Sequence, residues 1–316
     1  MQSDLIVLGD LVADLIIPIE RLPLFPLQHG WAEGIFVEPG GAGNVLVAAR
    51  RMNLTTLTLG AIGPDRYGSE MLTMLADEGV IVEHVAICAE RTTVVCIVLA
   101  DQQGQHVYLG MKDKLGRWPF LAAWHAIIRQ ARALFVDGYT VRDVLHSEDL
   151  LAAFDTAHSA GIPIFFDPGP SIAFIAPDLC TRVLAETDVL LLTDEEAALL
   201  CGDLSGQSAM QALLARGPNT VVLKHGAAGC SVATARGMIS HPGVPVPMVD
   251  TVGAGDSFAA AFIAGWLRGG TLDDCAMLAN AMGALTVTQR GAGTRIPARE
   301  RLLELLANTP GVLALA

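Results

Sequence analysis

Aromatic residues and positive charge are both scarce in this sequence of 316 residues. Phe, Trp and Tyr make up 5% of it, so a core has to be built mostly from aliphatic side chains. Lys and Arg number 20 against 33 Asp and Glu, a net charge of −13, and no basic run is long enough to follow a phosphate backbone. We therefore expect no nucleic acid among the partners.

Long apolar segments are missing too. The longest apolar stretches, such as residues 94–100 and 258–267, fall short of the roughly 20 residues that a membrane-spanning helix needs. The first residues lead from Asp4 directly into an apolar run, without the basic segment and cleavage site of a signal peptide. The sequence thus predicts a cytoplasmic protein with no membrane partner.

Cysteine and histidine patterns for disulfides or metals are absent as well. The six cysteines are scattered without a C-x-x-C pair, and the eight histidines show no H-x-x-x-H or H-E-x-x-H spacing. We expect buried, reduced thiols and no structural zinc site.

Short β-type runs alternate with amphipathic stretches through most of the chain, which is typical of βαβ units around a mostly parallel sheet. The length fits one large α/β domain or two smaller ones. The predicted strands are residues 5–8, 56–61, 134–137, 163–166, 189–192 and 220–223. The predicted helices are residues 44–52, 69–78, 118–132, 148–160, 195–201, 209–216, 254–268, 272–288 and 298–307.

Two segments break this alternation and resemble strand pairs joined by turns. Ligands bind at the carboxyl ends of strands in α/β sheets, so a β flap at that edge would act as a lid, although ordinary edge hairpins are the alternative. The predicted lid consists of residues 11–37 and 91–111. The predicted αβα domain consists of residues 1–10, 38–90 and 112–316.

The segment DTVGAGDSF, residues 250–258, places a carboxylate at the predicted start of a helix. Gly253 and Gly255 let the backbone approach an anion, and the first N–H groups of a helix lack partners and favour negative charge. Beside such an anion, Asp256 is suited to accept a proton. The simpler alternative is a tight loop that ends in a capping aspartate.

A second glycine-rich segment, EPGGAGNV at residues 38–45, precedes another predicted helix. Together, the two segments resemble the signatures of the ribokinase family, also called the PfkB carbohydrate kinases, and the resemblance covers most of the chain. It implies a ribokinase-like three-layer αβα (Rossmann-like) domain with a small β-sheet lid. It also implies transfer of the γ-phosphoryl group of ATP, with Mg²⁺, to a hydroxymethyl group of a sugar, sugar acid or nucleoside.

In this resemblance, Asp256 is the general base, and the backbone N–H groups of Gly253, Ala254 and Gly255 form an anion hole. Asp14 matches a carboxylate that binds sugar hydroxyls, with Asp10 as a second acceptor, while turn or capping roles are the alternatives. A strand end and the turn at residues 167–170 are expected to line the same pocket. The predicted acceptor contacts are Asp10, Asp14, Gly40, Gly41, Asn44, Asp137 and Tyr139.

On the nucleotide side, the resemblance covers the turn LKHGAAG, residues 223–229, and a T-x-x-E version of an N-x-x-E motif that organises Mg²⁺ through water. Lys224 replaces the commoner threonine and either contacts phosphate or ribose or points to solvent. Glu196 either serves the metal or is one of several acidic residues in the first turn of a helix. The predicted nucleotide contacts are Thr193, Glu196, Lys224, Gly226, Gly229 and Asn280.

Potassium is left open by the resemblance. Monovalent cations bind family members around the positions of Asp250, Val252 and Gly291. Arg295 stands where a small polar ligand is usual, and a guanidinium occupies or repels a cation.

The acceptor is the least defined part of the prediction. Ala42 stands where one subgroup that binds phosphosugars has lysine, which favours a non-phosphorylated sugar. Phe36 and Trp31 are the candidates for stacking a base if the protein is a nucleoside kinase. An inactive sugar- or nucleotide-binding protein is a further alternative, and a nicotinamide-dependent oxidoreductase is disfavoured because residues 9–14 lack the G-x-G-x-x-G pattern.

The predicted lid is more apolar than a flap alone requires, and family members often dimerise through their lids. We therefore predict a homodimer. The residues concerned are Leu15, Ile16, Ile17, Ile19, Leu22, Leu24 and Phe25.

Overall fold

The first strand shows how the core is divided. In Ser3–Leu8, Leu5 packs on one face of the sheet and Ile6 on the other, and both are fully buried. A strand that is buried on both faces needs neighbouring strands on its sides and helices above and below. The sequence of this strand therefore requires a layered α/β structure.

A computed structural model describes residues 2–27, 29–111 and 116–316. The strands are β1 Ser3–Leu8, β2 Leu11–Pro18, β3 Phe36–Gly41, β4 Thr56–Leu59, β5 Ala61–Ile62, β6 Ala86–Ile87, β7 Val94–Ala100, β8 His106–Gly110, β9 Ala131–Asp137, β10 Ile164–Asp167, β11 Val189–Thr193, β12 Thr220–Lys224, β13 Gly229–Thr234 and β14 Gly237–Pro242.

The α-helices are α1 Ala42–Arg51, α2 Arg66–Asp77, α3 Trp124–Ile128, α4 Ser147–Ser159, α5 Pro177–Ala185, α6 Asp194–Cys201, α7 Gly206–Leu214, α8 Ala254–Leu267, α9 Leu272–Thr286, α10 Arg299–Leu305 and α11 Pro310–Leu313. A π-helical turn covers Thr140–Val144, and 3₁₀ turns cover Gly169–Phe174, Gly226–Ala228 and Gly293–Arg295. Within the described ranges, no helix is both long and apolar enough to cross a membrane.

The main sheet has the strand order β14-β13-β12-β11-β10-β9-β1-β4. The strands from β4 to β12 in this order pair in parallel, and β13 and β14 are added antiparallel at one edge. Helices α1, α8 and α9 bury their apolar residues against one face, and α4, α5 and α7 against the other. The predicted three-layer αβα architecture is confirmed.

A second sheet, the lid sheet, has the order β3-β2-β7-β8. Strand β2 pairs antiparallel with β3 and parallel with β7, which forms a hairpin with β8. The sheet is thus built from the two segments predicted as the lid, although β3 runs on to Gly41, past the predicted boundary at residue 37. The division into domains stays a prediction, and its limits at residues 1 and 112 lie outside the described residues.

The helix predicted over residues 118–132 is too long. The structure has only α3 there, because Trp118 is buried under the Arg91 guanidinium, 4.6 Å from its ring centroid, and the chain enters the sheet beside β1 from Ala131. Pro119 also interrupts helical hydrogen bonding. Tertiary packing thus outweighs the apolar periodicity of this segment.

The strand predicted over residues 56–61 is split at Gly60. A Cβ atom on Gly60 would lie 2.8 Å from the carbonyl oxygen of Gly9, so only glycine fits where the chain leaves β4 for β5. Strands β13 and β14 and helix α5 are absent from the sequence prediction. The sequence of β13, GCSVAT, mixes small and polar residues and carries a weak strand signature.

Candidate active site

The carboxyl ends of the central strands bring the predicted site residues together. Asp137 of β9 pairs in register with Asp167 of β10, and Thr193 of β11 pairs with Lys224 of β12. A Cβ atom on Gly255 would lie 3.6 Å from Lys224 Nζ, so the start of α8 is at this edge as well. The topology therefore assembles one site from segments that are far apart in sequence.

A left-handed glycine precedes α8. Gly253 has a φ of 73°, and a Cβ atom there would lie 2.5 Å from the Ala292 side chain, so a larger residue would open the turn. The Ala254 N–H donates to the Thr251 carbonyl at 3.3 Å, which is a weak hydrogen bond. The positive end of the α8 dipole favours an anion here, and the anion-hole role of Gly253, Ala254 and Gly255 stays a prediction.

Asn44 of α1 holds the carboxylate of Asp256. Asn44 Nδ2 donates to Asp256 Oδ2 at 2.9 Å, and Asn44 Oδ1 accepts from the Gly293 N–H at 2.9 Å. Both ends of the amide are thus used within the protein, which fixes its orientation. The structure gives Asn44 a positioning role, and its predicted sugar contact stays a prediction.

Burial raises the pKa of Asp256 to about 7, and the carboxylate of Asp167 adds to the rise. The hydrogen bond from Asn44 and the charge of Lys224 act in the opposite direction. A carboxyl group that titrates near neutrality is suited to take a proton from a reacting hydroxyl.

Lys224 is paired and does not point to solvent. Its Nζ lies 2.6 Å from Asp167 Oδ2, and the Lys224 side chain is 11% exposed. Burial lowers the pKa of Lys224, but the carboxylates of Asp167 and Glu196 outweigh burial and raise it. The structure therefore holds a positive charge close to the start of α8.

Thr193 and Glu196 cap the N-terminus of α6. The Glu196 N–H donates to Thr193 Oγ1 at 3.2 Å, and the Thr193 N–H donates to Glu196 Oε2 at 2.8 Å. This reciprocal capping box explains why threonine is acceptable at residue 193. Burial, followed by the carboxylate of Asp167, raises the pKa of Glu196. The predicted nucleotide and metal roles of both residues stay predictions.

Carboxyl groups with raised pKa values gather where the acceptor contacts are predicted, a region that we call the acceptor side. Burial raises the pKa of Asp10 to about 7, with a contribution from Asp137, and it raises the pKa of Asp14 to about 7, with a contribution from Asp256. Burial also raises the pKa of Asp137 to about 6, although its Oδ1 accepts a 2.7 Å hydrogen bond from the Thr140 N–H. Such groups accept hydrogen bonds from a hydroxyl-rich ligand.

The glycines of β3 allow a close approach to these acids. A Cβ atom on Gly40 would lie 2.1 Å from Asp14 Oδ2. Gly41 has a φ of 53°, and a Cβ atom there would lie 2.7 Å from the Asp10 carbonyl oxygen. Both positions thus require glycine for packing, whether or not they also contact a sugar.

Tyr139 follows Asp137 and is 41% exposed. The guanidinium of Arg142 lies 6.0 Å from the Tyr139 ring centroid and 5.3 Å from that of Phe174. Arg142 is also ion-paired with Asp143. This cluster lies beside Asp137. The predicted contact of Tyr139 with the acceptor stays a prediction.

The turn after β12 depends on two glycines, and their predicted nucleotide contacts stay predictions. Gly226 has a φ of 56°, and Gly229 has a φ of 101°, where a Cβ atom would lie 2.1 Å from the His241 carbonyl oxygen. Asn280 Nδ2 donates to the Pro242 carbonyl at 3.2 Å. This hydrogen bond links the end of β14 to α9. The predicted contact of Asn280 with adenine stays a prediction.

The loop around Asp250 contains the candidate cation ligands. Asp250 Oδ1 accepts from the Val252 N–H at 2.9 Å, and Oδ2 accepts from the Gly291 N–H at 2.8 Å. His106 Nε2, from the lid sheet, lies 3.0 Å from Asp250 Oδ1. Two backbone N–H groups and the His106 ring thus surround this carboxylate.

Arg295 is directed away from Asp250. Its Nε donates to Glu38 Oε1 at 2.9 Å, and its guanidinium stacks 4.6 Å from the centroid of the Phe36 ring. Arg295 was expected to occupy or to repel a cation. In the structure its guanidinium is ion-paired with Glu38 instead.

Sequence reasoning missed three residues of this region. Asp167 was placed only in a turn of the acceptor pocket, although the register of β10 to β12 brings it to Lys224. His225, whose Nδ1 lies 2.8 Å from Asp194 Oδ2, and His106 carry no recognisable sequence signal. Strand order supplies the first of these contacts, and only three-dimensional packing supplies the others.

Comparisons with known proteins agree over most of the chain. The sequence profile of the pfkB family carbohydrate kinases matches residues 2–299. The ATP-dependent ribose-1-phosphate kinase of Halopiger xanaduensis is 34% identical over 280 residues, 88% of this chain and 90% of that protein. The fructokinase of Klebsiella pneumoniae is 31% identical over 317 residues, 96% and 99%.

Solved structures agree on the fold. The structure of Arabidopsis thaliana ribokinase complexed with ribose and ATP is similar to this one with a TM-score of 0.82 at 25% identity. The match covers 97% of this chain and 99% of that chain. The predicted ribokinase-like fold is confirmed.

Proposed function

Because the chain belongs to the pfkB family of carbohydrate kinases, and is thus a phosphotransferase with an alcohol group as acceptor, we propose a specific reaction. The protein transfers the γ-phosphoryl group of ATP to a hydroxymethyl group of a non-phosphorylated sugar or sugar acid. The observation that carries this proposal is the half-buried Asp256 carboxylate at the start of α8, held by Asn44 and with a pKa raised to about 7, mainly by desolvation.

In the proposed mechanism, Asp256 takes the proton of the acceptor hydroxyl as that oxygen attacks the γ-phosphorus. Asn44 fixes the orientation of the carboxylate during this step. The amine of Lys224 and the N–H groups at the start of α8 stabilise the charge on the transferring phosphoryl group. In-line transfer then needs only positioning and electrostatic stabilisation from the protein.

ATP is proposed to lie along the strand ends β11 and β12 and the turn that follows β12. Gly226 has open space where a side chain would stand, Gly229 lets the turn pack closely on the His241 carbonyl, and the contact of His225 with Asp194 holds the turn in place. Asn280 lies behind this turn at the end of β14. These positions support nucleotide binding on the Lys224 side of the site.

Mg²⁺ fits the acidic residues beside Lys224. Glu196 is 8% exposed, and a divalent cation would relieve its repulsion with Asp167. In the part of the chain that the structure describes, no three His, Cys, Asp or Glu side chains are placed to hold a metal directly, which suits an ion carried by phosphates and water. When bound, Mg²⁺ neutralises phosphate charge. We assign Glu196 to its water shell.

The acidic side of the site supports a neutral polyol over a phosphosugar. Asp10, Asp14 and Asp137 would repel a phosphate, whereas each accepts hydrogen bonds from hydroxyl groups. Arg142, the cation beside them, is already paired with Asp143. A free sugar is therefore the best-supported acceptor.

A nucleoside is less well supported. Trp31 is 92% exposed, and the Phe36 ring is covered by Arg295 at 4.6 Å. Neither aromatic ring is thus arranged to stack a base in this structure.

The test is a substrate panel with coupled detection of ADP. It compares ribose, fructose, a sugar acid, adenosine and ribose 1-phosphate at equal ATP and Mg²⁺. We expect the highest kcat/KM with a free sugar or the sugar acid. A higher kcat/KM with adenosine or ribose 1-phosphate would overturn the acceptor class, and no ADP above background with any acceptor would overturn catalysis itself.

We also propose a homodimer formed through the lid sheet. Val107, Tyr108 and Leu109 of β8 are 39%, 55% and 54% exposed, and Leu27 is fully exposed. An apolar edge strand of this kind is normally covered by a partner. Analytical ultracentrifugation at micromolar concentration should give the mass of two chains, and the mass of one chain would count against the dimer.

A further inference from the structure

The carboxylate of Asp250 is surrounded by donors, although its position in the sequence matches a cation ligand. The N–H groups of Val252 and Gly291 occupy its two oxygens at 2.9 and 2.8 Å, and His106 Nε2 lies 3.0 Å from Oδ1. Hard cations need oxygen ligands and are repelled by N–H groups that point at the same place. Potassium would thus have to share this carboxylate with two N–H donors and an imidazole ring.

The turn between β7 and β8 of the lid sheet positions His106. Asp101 Oδ1 accepts from the N–H groups of Gln103 and Gln105 at 2.8 and 2.9 Å, which orders the connection from β7 to β8. At the tip, Gly104 has a φ of 79°, and a Cβ atom there would lie 3.0 Å from the Val249 carbonyl oxygen. The turn thus rests on the residue before Asp250.

The contact between His106 and Asp250 is shielded from water. The two side chains are 8% and 6% exposed, and the surrounding cavity is also lined by Ile16, Val98 and Ala100 of the lid sheet. A buried carboxylate needs partners, and loss of one partner is costly. His106 is therefore built into the contact between the lid sheet and the loop that leads to α8.

We propose that His106 takes the place of the monovalent cation in this protein. Its imidazole packs against the Asp250 carboxylate, with Nε2 3.0 Å from Oδ1, and Asp250 in turn holds the Val252 and Gly291 backbone beside Gly253. His106 is a positioning residue, because it acts through Asp250 on the turn before α8. Turnover and stability are therefore independent of potassium. The activity measurements rest on the proposed kinase function, whereas the stability measurement does not.

The first experiment measures the Tm of the wild-type protein in KCl and in choline chloride at equal ionic strength. We expect the same Tm in both salts. A rise in Tm specific to potassium would overturn the proposal, whatever the catalytic activity of the protein proves to be.

The second experiment compares His106→Ala, His106→Gln and His84→Ala with the best acceptor of the panel. His84 is exposed and lies outside the lid sheet, so its variant is the control. We expect kcat to fall about tenfold in His106→Ala, because the buried Asp250 carboxylate loses a polar neighbour, while the KM for the acceptor stays unchanged. His106→Gln, which keeps an N–H donor, should recover part of kcat.

Two results of this second experiment would overturn the proposal. One is a wild-type kcat in His106→Ala, and the other is a kcat of the wild-type protein that rises with KCl but not with choline chloride. If His106→Ala does not fold, the Tm comparison and His106→Gln still test the proposal. If no acceptor is phosphorylated, the kinase proposal fails while the Tm comparison remains valid.

Discussion

The acceptor side and the nucleotide side of the same sheet edge differ in whether their carboxylates are paired with a cation. On the acceptor side, burial raises the pKa of Asp10 and Asp14 to about 7, and neighbouring carboxylates add to the rise. On the nucleotide side, Asp167 is neutralised by Lys224 at 2.6 Å. The first arrangement suits a hydroxyl-rich ligand, whereas the second places a paired amine close to the start of α8, so the two proposed halves of the site differ in charge. Asp256 lies between them.

Asp256→Asn should have the largest effect, since it removes the proposed base where the two sides meet. We expect kcat to fall about 10³-fold, within the range for loss of general base catalysis. The KM for ATP should stay within about twofold, because the amide keeps the shape of the side chain. Steady-state kinetics with the best acceptor measure both values, and Asp178→Asn, an exposed acid in α5, is the control. A kcat close to wild type would rule out Asp256 as the base.

Lys224→Met tests the nucleotide side. Loss of a cation that stabilises the transferring phosphoryl group should lower kcat/KM for ATP about 10²-fold, and Lys224→Arg should retain part of the activity. The KM for the acceptor should change little, as measured by varying each substrate in turn. A variant that mainly weakens acceptor binding would break the division of the site into two sides. Arg66→Met, at an exposed surface pair, is the matched control.

Asp14→Asn and Asp167→Asn make a direct comparison of the two sides. Asp14→Asn should raise the KM for the sugar about tenfold, the cost of weakening a hydrogen bond to a charged group, and leave the KM for ATP unchanged. Asp167→Asn should raise the KM for ATP and leave the KM for the sugar unchanged, because the Lys224 amine loses the ion pair that holds it in place. Initial rates over a grid of both substrates separate the two parameters. The comparison fails if both variants change the same KM.

The dependence of stability on pH sharpens the same contrast with a smaller effect. The folded-state pKa of Asp14 is raised, mainly by burial, to about 7 from an ordinary value of 3.8. The folded state therefore binds the proton more tightly than the unfolded state, and this stabilisation, complete below about pH 4, is lost as the pH rises through about 7.

Asp14→Asn should therefore increase the free energy of unfolding by about 1–2 kcal/mol at pH 8 and by less at pH 5. Urea unfolding at both pH values measures the difference. Asp167→Asn should instead lower stability at both pH values, because it leaves the buried amine of Lys224 without its partner. A destabilised Asp14→Asn variant at pH 8 would contradict the raised pKa.

The sequence predicts the body of the fold and the helix start in the DTVGAGDSF segment because both depend on local patterns. Apolar strands that alternate with amphipathic helices define the parallel sheet, and the glycines beside Asp256 mark a helix start at a strand end. The long helix predicted around Trp124 failed because burial of Trp118 and entry into β9 depend on distant residues.

Contacts between segments of the site that are distant in sequence could not be predicted from local patterns. The pair of Asp167 and Lys224 depends on the order of neighbouring strands, which single motifs do not encode. The position of His106 depends on how the lid sheet docks on the loop before α8. Thr193 is a milder case, since the T-x-x-E spacing is itself a capping-box signature, although the resemblance directs attention to its metal role.

The contact between Gly40 and Asp14 also limits how this site can change during evolution. Because a Cβ atom on Gly40 would lie 2.1 Å from Asp14 Oδ2, any larger residue at position 40 displaces this carboxylate, the proposed acceptor contact. Mutations at the two positions are therefore expected to be epistatic: Gly40→Ala costs activity while Asp14 is present and costs less once Asp14 has become a smaller residue. A new acceptor preference is then most accessible by an order of steps in which Asp14 changes first.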